Sequence, residues 1–363
     1  MTAPWNLRSS TRSALAAAAL IGALAAVPAA RADVYTLRIG SGHAPTALYV
    51  VLMRDFFVPE VKRRVAERTK HTVNFTEAYG GSIVKVNETL RGVQNGIIDI
   101  GGFCVCFEGS NLPLQNFQMA LPFGTQSSEQ SIRIVRAVHN RVPELAATYE
   151  QRFNQRLLAL IGLDDYNIGT TFAWTDIAQL KGRKIAGSGP NLAWLEFVGA
   201  VPVTGGLPDA YVNMQTKVVD GYILLPSVWL AAKLYEPGPY FTLIGFGAMT
   251  IHALTANLAT LNRLPPEVRD IIVEVAREYE AMNGKRFDEQ YQKAVAGLKA
   301  VGARVETLPP SARAAWAQAL KDLPAKRGKE MDAMGLPGSR TLQIAIEESE
   351  KAGYNWPVRY LLK

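Results

Sequence analysis

Three short apolar runs between residues 180 and 229 constrain this chain more than any other feature. Residues 182–186, 200–204 and 219–224 each have strand length, while 191–198 and 209–217 carry helical periodicity between them. Strand, helix, strand, helix, strand in one stretch predicts a parallel sheet covered on both faces. The same order occurs earlier. A strand over 35–39 closes on Gly40-Ser41-Gly42, and an amphipathic helix over 47–68 is bent or interrupted at Pro59. A strand over 72–75 follows, then a turn at Gly80-Gly81-Ser82, a helix ending at Asn95-Gly96, and a strand over 97–101. A strand over 156–163 opens the second half, and the two halves share no close internal repeat. The segment 250–261 looks like a strand returning to the first half. Residues 266–301 are helical by period, with Gly284 as the one interruption.

The N-terminus reads as an address. Arg8 and Arg12 precede an apolar stretch over 14–27, and Ala30-Arg31-Ala32 forms a small-residue cleavage site. The apolar stretch is short for a membrane span of roughly 20 residues. The expectation is export to the periplasm with cleavage near Ala32. Loss of Arg8, Arg12 and Arg31 and of no acid takes the formal charge from +7 to +4. The remaining basic runs, Lys62-Arg63-Arg64 and Lys326-Arg327, are short and lie on amphipathic helices. They read as solvated faces, and no nucleic-acid partner is expected.

Two cysteines, Cys104 and Cys106, stand two apart on a strand. Export permits disulfides, but that spacing on an extended strand misses disulfide geometry, so no structural disulfide is expected. Only four histidines are available to complete a zinc site, so no metal is expected either. Catalytic signatures are absent: the chain has no G-x-S-x-G elbow, HExxH pair, P-loop or dinucleotide fingerprint. Asp164-Asp165 is a carboxylate pair, but adjacent strand residues face apart. The chain reads as a non-enzyme without a cofactor.

The run Leu180-Lys181-Gly182, Lys184-Ile185, Val198-Gly199-Ala200, Pro202-Val203, Tyr211, Gln215-Thr216 and Val218-Val219-Asp220-Gly221 resembles the core of the DctP-like family. These are the periplasmic solute-binding proteins of tripartite ATP-independent periplasmic (TRAP) transporters. Gly80-Gly81-Ser82-Ile83, Gly96-Ile97-Ile98-Asp99, Leu121-Pro122-Phe123 and Leu264-Pro265-Pro266-Glu267-Val268 extend the likeness over nearly the whole mature chain. The resemblance implies an α/β, two-lobed clamp of the periplasmic-binding-protein kind with a long lobe-spanning helix. It implies a first lobe over 33–160 and 246–290, the latter holding the returning strand and long helix. The second lobe takes 161–245 and a helical C-terminal part over 291–363. Implied partners are a small organic solute and the small and large TRAP membrane subunits, with the receptor acting as a monomer. A periplasmic receptor that signals to a membrane protein is the alternative, since both need the same closure.

Three departures bear on the solute. Most members carry an arginine after the Lys-Ile pair, which clamps a carboxylate; here it is Ala186. The segment Asn167-Ile168-Gly169-Thr170-Thr171 lacks a second arginine found in some members. Tyr222-Ile223-Leu224-Leu225 stands where many have an acid and an asparagine. A lone buried carboxylate costs several kcal/mol, so the solute is expected to be a hydrophobic or aromatic carboxylate held elsewhere, or a neutral compound. Gly187-Ser188-Gly189-Pro190, leading into a helix near Asn191, offers a helix N-terminus as that other anion site. Around it the resemblance places Gly42, His43, Phe103, Cys104, Leu207, Tyr222, Leu225 and Trp229 as ligand contacts. His43 could donate a hydrogen bond or a charge.

Overall fold

The computed structural model describes residues 1–2, 32–360 and 362. The export signal expected over 1–32 therefore falls almost wholly outside the described residues. The rest folds around two sheets. The first has the order β2-β1-β3-β10-β4, with β1 Val34–Gly40, β2 Thr72–Ala78, β3 Ile100–Cys104, β4 Gln155–Ile161 and β10 His252–Asn257. The second has the order β11-β9-β5-β8-β6-β7, with β5 Asn167–Thr170, β6 Lys184–Gly187, β7 Val201–Thr204, β8 Gly221–Leu224, β9 Tyr240–Leu243 and β11 Arg304–Thr307.

Neither sheet is purely parallel, which corrects the expectation from strand–helix alternation. β1, β2 and β3 run parallel, as do β6, β7 and β8, but β10 is antiparallel to both its neighbours and so is β5. These two strands are the ones the chain enters directly from the two short crossing segments between the sheets. A strand arriving from the opposite lobe enters at the end where its neighbours finish, so it runs against them. The crossing segments are tied side by side: Leu163 N–H donates to Met249 O at 2.9 Å, Phe246 N–H to Tyr166 O at 3.1 Å, and Asp165 bridges Ala248.

Local chemistry explains most boundaries. The first helix runs Leu48–Leu52, passes through a π-turn at Met53–Phe57 and resumes as Val58–Arg68. The interruption directly precedes Pro59, whose missing N–H and ring prevent regular α-helical pairing there. The strand expected at 97–101 begins only at Ile100. Ile97 and Ile98 both donate to Gly92 O, closing the preceding helix through Gly96 at φ 67°. The strand expected to run to 261 stops at Asn257, whose side chain accepts Thr260 N–H and caps the helix Leu258–Arg263. Tyr240–Leu243 and Arg304–Thr307 were missed as strands because neither has a clear alternation of its own. Parallel pairing with each other supplies the order.

The helix Pro266–Ala300 runs 35 residues straight through Gly284. It packs on β4 and on the helix Ser128–Arg141 of the first body, and on β11 and the helix Pro226–Ala231 of the second. Within it Tyr279 is buried and donates to Tyr49 O at 2.9 Å. The C-terminal helix Gly338–Lys351 lies on Ser128–Arg141, and Tyr360 donates to Pro122 O at 2.6 Å. No described helix is long and apolar enough to cross a membrane.

Candidate functional site

The C-terminal ends of open α/β strands are where such sheets take up ligand, and the unusual groups lie there. On the first sheet, β1 ends in the turn Ser41-Gly42-His43. Gly42 is required by space: a Cβ would stand 2.2 Å from Val86 N. That close approach seats His43 against Tyr49, His252 and Phe107, with ring centroids 5.7, 5.5 and 6.2 Å away. A hydrogen-bond chain fixes the ring. Ser41 Oγ and Tyr49 Oη lie 2.8 Å apart, and Tyr49 Oη and His43 Nδ1 lie 2.7 Å apart. In the direction in which Tyr49 donates to Nδ1, His43 carries its proton on Nε2.

Neither histidine here supplies charge at neutral pH. Burial lowers His43 to about 4. Burial, and then the neighbouring His43, hold His252 well below its ordinary value. Burial thus disfavours the charged role expected of His43, while it leaves donation of a hydrogen bond open. His252 Nδ1 is buried and has no hydrogen-bond partner.

Cys104 ends β3 opposite His252 in register. It forms a disulfide with Cys106, with Cα atoms 5.1 Å apart. This corrects the expectation of free thiols. The strand stops at Cys104 and a 3-10 turn, Val105–Glu108, begins at once, so the two residues are not in one extended segment. The tighter turn brings the sulfurs together and presents Phe107, 41% exposed, toward His43. Phe103 alternates to the opposite face of β3 and is buried in the core.

The second sheet carries the other expected residues, and it separates them. Ala186 is fully buried and pairs across β6–β8 with Tyr222. Ala186 Cβ, Tyr222 Oη and Tyr222 Cε1 all lie within about 3.2 Å of where Gly205 would carry a Cβ. Ala186, where the resemblance puts a clamp residue, is therefore sealed beside a tyrosine whose hydroxyl accepts from Asn213 Nδ2 at 3.3 Å. Trp229 lies in the core of the second body: its ring covers Gly169, and its Nε1 donates to Gly238 O at 3.2 Å. Leu225 is buried as the residue before the helix Pro226–Ala231, whereas Leu207 is exposed beyond β7. Gly187 and Ser188 close β6. The segment after them is a six-residue 3-10 turn, Pro190–Leu195, in place of the expected helix over 191–198. So short a turn has no aligned α-helical dipole, and Ser188 N–H is already taken by Asn191 Oδ1 at 3.0 Å. The helix-terminus anion site expected here is not formed.

Contact between the two bodies is aromatic. Trp194 donates to Met119 O at 2.9 Å, stacks at 4.9 Å on Phe246 of the returning crossing segment, and accepts at its own carbonyl from Trp316 Nε1 at 2.8 Å. Nearby, Asp165 accepts from Gly247 N–H at 2.7 Å and from Asn167 Nδ2 at 3.1 Å, and Asp164 accepts from Ser227 Oγ at 3.0 Å. Burial pushes both carboxyls up to about 7. Sequence reading missed Tyr49, Phe107 and His252 as site residues. His252 had a signal, a polar residue inside an apolar strand, but its pairing to Cys104 is visible only in the fold. A groove of about 590 Å³ lined by Thr171, Arg183, Tyr211, Met214, Lys217 and Asp220 opens at the far end of the second sheet. No group of three or more potential metal ligands occurs among the described residues.

A two-lobed α/β fold of this kind is the architecture of a solute receptor, and the chain belongs to that class by family. Residues 57–330 match the family described as bacterial extracellular solute-binding protein, family 7 (DctP). The 2,3-diketo-L-gulonate-binding periplasmic protein YiaO of Escherichia coli is 28% identical over 47% of this chain and 51% of its own length. The chain spans about half the length of the curated relatives it matches. Among solved structures, a Bordetella pertussis extracytoplasmic solute receptor binding pyroglutamic acid, DctP7, superposes with TM-score 0.74 at 21% identity, covering 87% of this chain and 99% of that one. A TRAP solute-binding protein from Rhodoferax ferrireducens, in complex with copurified benzoate, gives TM-score 0.74 at 18% identity, covering 88% and 98%.

Proposed function

We propose that this chain is the periplasmic receptor of a TRAP-type transporter and captures a small organic solute with an aromatic or otherwise apolar body. The solute carries one carboxylate or is neutral. The two lobes, one on each sheet and with the C-terminal helix Gly338–Lys351 on the first, close over it, and the closed monomer delivers it to the membrane subunits unchanged. The observation that carries this reading is the sealed Ala186–Tyr222 pair, which leaves the clamp position without a cation. The neutral His43 and His252 and the ring of Phe107 on the opposite wall support it. Such a wall rewards apolar surface at roughly 25 cal/mol per Å² buried and gives a second carboxylate no partner. Of the similar structures, the one with copurified benzoate holds a solute of this type, while others hold pyroglutamic acid or D-glucuronate.

The test is a thermal-shift panel on the mature protein. Benzoate-like monocarboxylates or their neutral analogues should raise the unfolding midpoint, while succinate and D-glucuronate should leave it unmoved. Stabilisation by the diacid or the sugar acid alone would retain a receptor and remove this solute class.

A further inference from the structure

Two buried side-chain polar groups beyond β6, the Asn191 amide nitrogen and the Ser188 hydroxyl, have no hydrogen-bond partner. Asn191 is fully buried, and its Oδ1 accepts Ser188 N–H at 3.0 Å, which fixes the amide orientation. Its Nδ2, turned the other way, donates to nothing. Ser188 Oγ, three residues earlier, is likewise buried and unpartnered. Buried donors are satisfied in the great majority of cases, and leaving one unmade costs more than making it gains. Poor local packing is not the reason: Trp194, three residues on, finds Met119 O across the interface. Asn191 also lies directly over the end of β6, its Oδ1 2.5 Å from where Gly187 would carry a Cβ. Glycine at 187 is what allows the amide to sit one residue beyond the clamp position.

We propose that Asn191 and Ser188 are a specificity-determining pair that binds a carbonyl or carboxylate oxygen of the solute through the Nδ2 amide and the Oγ hydroxyl. This rests on the receptor reading above and replaces a charged clamp by two neutral donors. Neutral donors accept a ketone, an amide or a single carboxylate, and they do not compensate the desolvation of a second negative charge.

The test uses calorimetry on the mature protein with benzoate, benzamide and pyroglutamate as probes. Ser188→Ala deletes an unpartnered hydroxyl, so the empty variant should keep the wild-type unfolding midpoint. It should bind the tightest of the three probes about 3–10-fold more weakly, the range for one neutral hydrogen bond. Asn191→Asp keeps the acceptor for Ser188 N–H, loses both donors and adds a negative charge. It should weaken benzoate and pyroglutamate by more than tenfold and benzamide by less. Wild-type affinity in both variants overturns the proposal, and Ser188→Ala alone decides it if Asn191→Asp does not fold. Failure of the wild type to bind any of the three also overturns it. Native mass spectrometry then separates the two readings. A copurified solute lacking an acceptor oxygen leaves the receptor intact, whereas an empty protein that no organic solute stabilises removes both.

Discussion

A methyl group on Gly42 would press on the Val86 backbone nitrogen at 2.2 Å, and backbone cannot swing aside as a side chain can. Gly42→Ala should therefore destabilise the chain by about 2–4 kcal/mol, read as a lowered urea midpoint with unchanged slope. A midpoint within error of wild type would show that the 79–88 loop yields freely and does not fix His43. At this scale the sequence was legible where identity alone decides the chemistry. Ala186 has no side-chain cation for an anion whatever surrounds it, and a glycine before His43 announces a tight approach. It was not legible where a residue's role depends on what alternates beneath it. Phe103, Tyr222 and Trp229 look alike as aromatics near strand ends, and only the pleat sends Phe103 away from His43 and puts Trp229 over Gly169.

Elements tell a similar story through Gly284. In isolation a glycine costs a helix roughly 1 kcal/mol against alanine, which argues for a break. The helix Pro266–Ala300 continues because the helix Ser128–Arg141 lies against it there, and a Cβ on Gly284 would stand 2.7 Å from Glu129 Cα. Gly284→Ala should thus be destabilising by about 1–3 kcal/mol, against the sign that propensity gives, as measured by chemical denaturation. Close approach at this point lets one helix serve both bodies. The 3-10 turn at Pro190–Leu195 is the converse case: its sequence has helical period, but Trp194 is drawn to Met119 and the turn ends early.

At the scale of the whole molecule, the two carboxyls between the sheets link stability to pH. Burial raises Asp164 and Asp165 to about 7 from an ordinary value near 4. Across that window the folded state holds protons that the unfolded state has lost, so these groups' contribution falls as pH rises from about 4 to 7 and is level above it. His43 and His252, lowered by burial, give the opposite slope as pH falls below about 6.5, so the effect must be read as a difference. Asp164→Asn removes one buried acid while an amide oxygen can still accept from Ser227. Relative to wild type it should gain stability between about pH 5 and 7, by on the order of 1 kcal/mol per unit, and level off above that. A pH-independent difference would mean that Asp164 is ionised throughout and that its bonds to Ser227 outweigh burial.

Sequence by itself determined the family, the alternation of strands and helices, and the absence of a cation at position 186. Each is a property of residue type and spacing along the chain. Tertiary structure decided the antiparallel crossing strands, the Cys104–Cys106 disulfide, and the meeting of His43, Tyr49, Phe107 and His252. It also decided the isolation of the Asn191 amide. Those depend on contacts between residues far apart in sequence or on where a strand ends, and neither periodicity nor composition encodes them.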